Sequence, residues 1–310
     1  MAVVFEEPER LALTRLELSP PGEEDVVVDV EWSGVSTGTE RLLWTGRMPS
    51  FPGMGYPLVP GYESVGRVCE VGSRSGLRVG DRVFVPGATC FGDVRGLFGG
   101  AASRLVVSGK RALPVGEELG ERAVLLALAA TAYHAIAAPG AGKPDLIVGH
   151  GVLGRLLARI ALSLGGAAPV VWERNPERAS GACGYVVIDP AKDTRKDYRA
   201  IYDVSGDARL LDTLVGRLGV GGEIVLAGFY CDALSFAFAP AFMREARFRI
   251  AAQWLEADLA AVHELVSTRQ LALDGLITHR SPAASAHSAY RTAFGDSSCL
   301  KMILDWREYA

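Results

Sequence analysis

The sequence predicts an α/β protein with two architectures in series, a barrel-like domain of short β-strands followed by a doubly wound parallel sheet. Three observations predict it. The N-terminal third carries short apolar alternations punctuated by glycine and proline. From about residue 120, apolar strand segments alternate with amphipathic helical ones. A glycine-rich loop joins the first of those strands to its helix.

Taken in order, residues 25–32 (DVVVDVEW) alternate with period two, as do the residues from Val65 to Val71. Gly80 to Gly87 reads as a short strand closed by a Pro-Gly turn. Ala123 to Ala138 is rich in alanine and leucine and stops at Pro139, as a buried helix would. Leu146-Ile-Val148 is a strand, and the helix after the glycine loop carries Leu156, Leu157, Ile160, Ala161 and Leu164 on one face. Gly165-Gly166 ends it, and Pro169 to Trp172 is the next strand. Later strands lie at Ala200 to Val204 and Gly222 to Gly228. Between them Leu210, Leu211, Leu214, Val215 and Leu218 mark a helix. A helix after Asp258, through Val262 and Leu265, leads into a mixed tail.

The chain has 310 residues, 49% of them apolar, with 32 Lys+Arg against 36 Asp+Glu and a net charge of −4. That excludes a disordered polyelectrolyte and a nucleic-acid binder working through bulk charge. The longest apolar stretch is interrupted by Thr131, Tyr133 and His134 and is short of the roughly 18–20 residues of a membrane span. The start, MAVVFEEP, is acidic where a signal peptide is basic, so a cytoplasmic protein is expected. Five scattered cysteines without a C-x-x-C pair read as free thiols and argue against a structural zinc.

Gly149-His-Gly-Val-Leu-Gly154 fits G-x-G-x-x-G between a strand and a helix, and Glu173 follows 19 positions later at a strand end. Gly149 permits the tight turn, Gly151 lets the backbone approach a pyrophosphate, and Gly154 lets helix and strand pack closely. Val152 and Leu153 open the helix whose N-terminus faces the phosphates. Glu173 is placed to bind ribose hydroxyls and repel a 2′-phosphate, which favours NAD over NADP. Arg174 beside it pulls the other way.

Four segments resemble the medium-chain alcohol dehydrogenase superfamily: Pro57 to Gly66 (PLVPGYESVG), Val79 to Val83 (VGDRV), Ser235 to Arg244 as its late strand, and Ile277 to Arg280 (ITHR). The resemblance implies a GroES-like catalytic domain over 1–120, a Rossmann NAD-binding domain over 121–265 and a return to the first domain over 266–310. It also implies a homodimer paired through the late strand, with which the alternation of Phe236 and Phe238 agrees. At the superfamily's three zinc-ligand positions this chain has Ser36, Tyr62 and Ala127, and of the four-cysteine lobe only Cys90 remains nearby. A zinc-free member is expected. The run from Ser36 to Glu63 further resembles the bacteriochlorophyllide a dehydrogenase family. That implies NAD-dependent oxidation of a 3-(1-hydroxyethyl) side chain to acetyl on a tetrapyrrole pigment.

Without zinc, a side chain must take the hydroxyl proton. Tyr62 is the first candidate, Ser36 and Thr39 could extend a hydroxyl chain, and Glu63 could orient or activate it. Glu40 is a second carboxylate nearby. The plainer alternatives are that Tyr62 fills the zinc void, that Ser36 and Thr39 shape a turn, and that Glu63 pairs with an arginine. By the same resemblance Thr131 lies near the nicotinamide and Lys301 reaches the pyrophosphate; the alternative for Lys301 is a solvated charge. Trp44, Phe51, Met54 and Tyr56, with Arg41 and Arg47, suit the rim of a site for a broad planar ring bearing a carboxylate. Equally, that loop could be buried on its own domain. His134 reads as a packed helix residue, and His150 as one whose backbone matters more than its ring. Two other functions use the same features, a zinc-free quinone or enoyl reductase and a non-catalytic NAD-dependent pigment-binding or sensor protein.

Overall fold

A computed structural model describes residues 1–50 and 52–309; Phe51 lies outside the described residues. The chain forms two units, Met1–Ala127 with Leu276–Ala310, and Leu128–Gly275. The sequence placed the divisions near 120 and 265. They fall later because the residues on either side are tied elsewhere. Glu121 accepts a hydrogen bond from Arg280 Nε at 2.9 Å within the first unit, and Ala123 to Ala127 are buried. In the second unit Arg159 donates to the carbonyls of Ala272 (2.8 Å) and Asp274 (3.0 Å), and Leu271 and Leu273 are buried.

The first unit has a seven-stranded sheet built around the long strand Asp25–Val35, and a four-stranded sheet built around Ala2–Glu7. Asp25–Val35 pairs antiparallel with Ser64–Val71, Arg104–Ser108 and Met302–Asp305. Val26, Val28 and Val30 on one face are almost wholly buried, and Val27 on the other face is buried as well, so the strand is covered on both sides at that point. Two registers position the site described below. Ser33 pairs with Ser64, and Met302 pairs with Val35. Continuing these strands brings Ser36, Tyr62 and Lys301 to one end of the sheet.

The second unit is a six-stranded parallel sheet. Its strand order is Val186–Ile188, Val170–Trp172, Leu146–Val148, Tyr198–Asp203, Leu218–Leu226, Arg247–Ile250. The order reverses at Leu146–Val148, whose carboxyl end is the topological switch point where such sheets bind ligands. Helix Val152–Ser163 buries Leu156, Leu157, Ile160 and Ala161.

One expectation fails. Ser235 to Arg244 is not a strand, because Phe238–Met243 is a short helix and the edge strand is Arg247–Ile250. Phe238, Phe242 and Met243 are exposed on that helix, while Phe236 stacks on Phe248 of the edge strand with centroids 4.6 Å apart. An i, i+4 apolar pair beside a proline mimics strand alternation over so short a window. No helix among the described residues is long and apolar enough to cross a membrane.

Candidate active site

In the second unit the glycine loop joins Leu146–Val148 to the helix Val152–Ser163, and its three glycines differ in what they permit. Gly149 has φ +107°, a left-handed conformation that a side chain would strain. A Cβ on Gly154 would lie 1.9 Å from the carbonyl oxygen of Gly149, so only glycine lets the helix approach the turn. A Cβ on Gly151 would meet nothing within 4 Å, so this glycine faces open space. Gly151 caps the twelve-residue helix, with Val152 and Leu153 in its first turn. Glu173 follows the strand Val170–Trp172; its carboxylate accepts the N–H of Asn175 (2.8 Å) and of His150 (3.2 Å). The residues present fit a dinucleotide. Arg174 is exposed beside Glu173, and Thr131 is half-buried on helix Leu126–Ala137.

His150 departs from expectation. Its ring is buried and held at both nitrogens, by the carbonyl of Arg178 (2.6 Å) and the hydroxyl of Tyr185 (2.8 Å). Burial holds its pKa below the usual histidine value, so the neutral ring ties the glycine loop to the following segment. His134 likewise does more than pack, for its Nδ1 lies 2.7 Å from Asp258.

In the first unit, Tyr62 Oη donates to Ser36 Oγ at 2.7 Å, and Thr39 lies beside the same phenol. The structure thus brings Tyr62, Ser36 and Thr39 together. Burial and the neighbouring Glu63 charge push the phenol well above its ordinary pKa, which keeps Tyr62 protonated at neutral pH. Its ring packs edge-on against Phe98, with centroids 5.2 Å apart. The two oxygens that replace zinc ligands are spent on each other, and the third position, Ala127, offers a methyl group. This donor set does not fit Zn²⁺.

Glu63 and Lys301 both depart from expectation. Lys301 is 1% exposed and Glu63 0%. Nζ lies 2.9 and 2.6 Å from the two carboxylate oxygens, and 3.3 Å from the carbonyl of Val35. The ammonium is therefore committed inside the first unit, which corrects both the pyrophosphate contact and the solvated-charge alternative. The Glu63 carboxylate faces lysine, not arginine, and does not activate Tyr62, since a negative charge beside a phenol disfavours its ionisation. The pair holds Val35 and Glu63, the chain neighbours of Ser36 and Tyr62. Gly34 makes room for it, because a Cβ there would sit 2.0 Å from Glu63 Oε2.

The sequence missed Tyr290. Its hydroxyl donates to Glu40 Oε2 at 2.8 Å, and Glu40 Oε1 accepts the N–H of Ser36 at 2.9 Å. Glu40 is 0% exposed, which pushes its pKa up to about 7. No local pattern marks a partner 250 positions away.

The suggested ring-binding rim is largely occupied with its own unit. Trp44 sits edge-on to Phe5, with centroids 5.5 Å apart, and near Phe294. Tyr56 Oη donates to the carbonyl of Leu43, and Met54 packs on the same core. Arg41 and Arg47 are exposed, and Phe51 lies outside the described residues. Where Trp44, Met54 and Tyr56 were expected to contact a ligand, each already makes packing contacts.

Residues 22–117 match the alcohol dehydrogenase GroES-like domain. The chain is 58% identical to 2-desacetyl-2-hydroxyethyl bacteriochlorophyllide A dehydrogenase of Rhodobacter capsulatus, over 99% of this chain and 98% of that protein. It is 56% identical to the protein of the same name in Cereibacter sphaeroides, over 100% of this chain and 99% of that one. Among solved structures it resembles L-idonate 5-dehydrogenase from Escherichia coli, with TM-score 0.85 and 19% identity, covering 98% of this chain and 97% of that one. Identity of this order along the whole chain places the protein among the medium-chain alcohol dehydrogenases, and within them it belongs to the bacteriochlorophyllide A dehydrogenase family.

Proposed function

We propose that this protein oxidises the hydroxyethyl side chain of a bacteriochlorophyllide-type tetrapyrrole to acetyl, with NAD as acceptor and without zinc. The observation that carries the proposal is full-length identity of 58% and 56% to two proteins named for that substrate. The carbinol loses a hydride from carbon and a proton from oxygen, so each pigment oxidised yields one NADH and one proton. When bound, the nicotinamide supplies the hydride acceptor; Gly149, Gly151, Gly154 and the start of helix Val152–Ser163 would hold its pyrophosphate, and Glu173 its ribose. Thr131 would lie near the nicotinamide.

Tyr62 handles the proton. Because its phenol stays neutral, it works as a relay rather than as a phenolate base. It takes the hydroxyl proton at Oη while passing its own to Ser36 Oγ; Ser36 in turn passes its hydroxyl proton to Thr39, and the half-exposed Thr39 releases one to solvent. Arg41 and Arg47 offer cations to a propionate of the pigment. The nicotinamide preference for NAD rests on the Glu173 carboxylate, which would face a 2′-phosphate with like charge.

The direct test mixes purified protein and NAD with a hydroxyethyl bacteriochlorophyllide and follows both the pigment absorbance and NADH. A pigment shift matched by equimolar NADH supports the proposal. Turnover of ethanol or a short polyol, with none on the pigment, overturns it.

A further inference from the structure

Glu40 is a buried carboxylate that the proton relay does not use. It lies at the start of the short helix Thr39–Trp44, and its contacts are reciprocal. Its backbone N–H donates to the carbonyl of Ser36 (3.1 Å) while its side chain accepts the N–H of Ser36 (2.9 Å). The remaining oxygen accepts the Tyr290 hydroxyl (2.8 Å), brought in by helix Ala286–Gly295. Ser36 is therefore clamped through both of its backbone groups by one residue, while its hydroxyl accepts from Tyr62. No lysine or arginine forms a salt bridge to Glu40 among the described residues; the ammonium of Lys301 is spent on Glu63.

We propose that Glu40 is a positioning residue, whose ionised carboxylate, anchored by Tyr290, fixes the Ser36 turn and through it the Ser36–Tyr62 hydroxyl pair. The proposal rests on the dehydrogenation proposed above for its effect on rate, but not for its effect on Tyr62. The groups that face Glu40 define its titration. Burial and the Glu63 charge favour the neutral acid, whereas the Ser36 N–H, the Tyr290 hydroxyl and the Lys301 charge favour the carboxylate. They balance at about 7, so the clamp changes charge in the neutral range. A protonated Glu40 keeps one acceptor and gains a donor, which weakens the charge-assisted bonds to Ser36 and Tyr290.

Two readouts test it. In protein carrying ring-labelled tyrosine, the Tyr62 resonance, identified by its loss in Tyr62→Phe, should shift with pH with a midpoint close to 7. Glu40→Gln should abolish that shift, and Tyr290→Phe should move the midpoint to higher pH by removing a bond that favours the carboxylate. If Glu40→Gln fails to fold, the Tyr290→Phe displacement decides alone. With pigment and NAD, kcat/KM of the wild type should rise through the same midpoint. Glu40→Gln should lose that limb and fall by about tenfold to a hundredfold, the scale of a small misplacement of reacting groups. A Tyr62 resonance indifferent to Glu40→Gln, or an unmoved midpoint in Tyr290→Phe, overturns the proposal. Absence of pigment turnover with the resonance behaviour intact counts against the reaction and leaves the Glu40 clamp standing.

Discussion

Lys301 and Glu63 face each other in a site closed to water, with Nζ 2.6 Å from one carboxylate oxygen and 2.9 Å from the other. They stand 238 positions apart in the chain. Burying two charges costs several kcal/mol each, recovered only through close geometry and further bonds, here the Val35 carbonyl at 3.3 Å. The pair joins the strand carrying Val35 to the residue beside Tyr62, at the place where the superfamily's zinc ligands would stand. A cross-link of charge thus lies under the hydroxyl pair.

Breaking it should unfold the first unit, not weaken cofactor binding. Lys301→Met leaves a buried carboxylate unpaired and should cost about 3–5 kcal/mol, read by urea denaturation. NAD affinity of the folded fraction, measured by calorimetry, should stay unchanged. A selective loss of NAD binding at unaltered stability would return Lys301 to the pyrophosphate.

Removing the phenol hydroxyl should separate relay from filler. Tyr62→Phe keeps the edge-on contact with Phe98 and should lower the rate by about 10²–10⁴-fold with NAD affinity retained. Ser36→Ala, which removes the hydroxyl that accepts the phenol's bond, should fall in the same direction. An unchanged rate in Tyr62→Phe would leave that side chain as packing.

Cofactor choice should follow Glu173. NAD should bind more tightly than NADP, and Glu173→Ala should narrow the gap by about 1–3 kcal/mol. Because the carboxylate also holds the N–H groups of His150 and Asn175, NAD itself should bind more weakly to the variant. Binding isotherms for both nucleotides check this; equal affinity in the wild type would refute it.

The donor set at Ser36, Tyr62 and Ala127 predicts purification without stoichiometric zinc and activity indifferent to chelators. Elemental analysis finding one zinc per chain would refute it.

Stability should carry the mark of Glu40. Its folded-state pKa, about 7, lies above the unfolded value of 4.5, so the native state binds the extra proton between those limits. This contribution is therefore present in acid and lost as pH rises, by about 3 kcal/mol between pH 4.5 and 7. Relative to wild type, Glu40→Gln should gain stability by that order on going from acid to mildly alkaline pH. Unfolding curves at the two ends check the sign.

The sequence by itself determined whatever depends on neighbours in the chain. Gly149, Gly151 and Gly154 are legible because a turn, an approach and a helix contact within six residues need glycine at those spacings. Asp25–Val35 is legible from its alternation, and Leu146–Val148 as a short apolar run buried on both faces of a parallel sheet. Ser36, Thr39 and Tyr62 could be named as one group from motif positions, although their contacts could not. The segment Phe238–Met243 was misread because six residues do not distinguish a helical period from alternation. Only the tertiary structure decided that Lys301 meets Glu63, that Tyr290 meets Glu40, and that Trp44 is taken up by Phe5. Those contacts join segments with no local pattern in common. A buried charge acquires its role from whichever distant group the strand registers bring against it, and no single segment encodes that meeting.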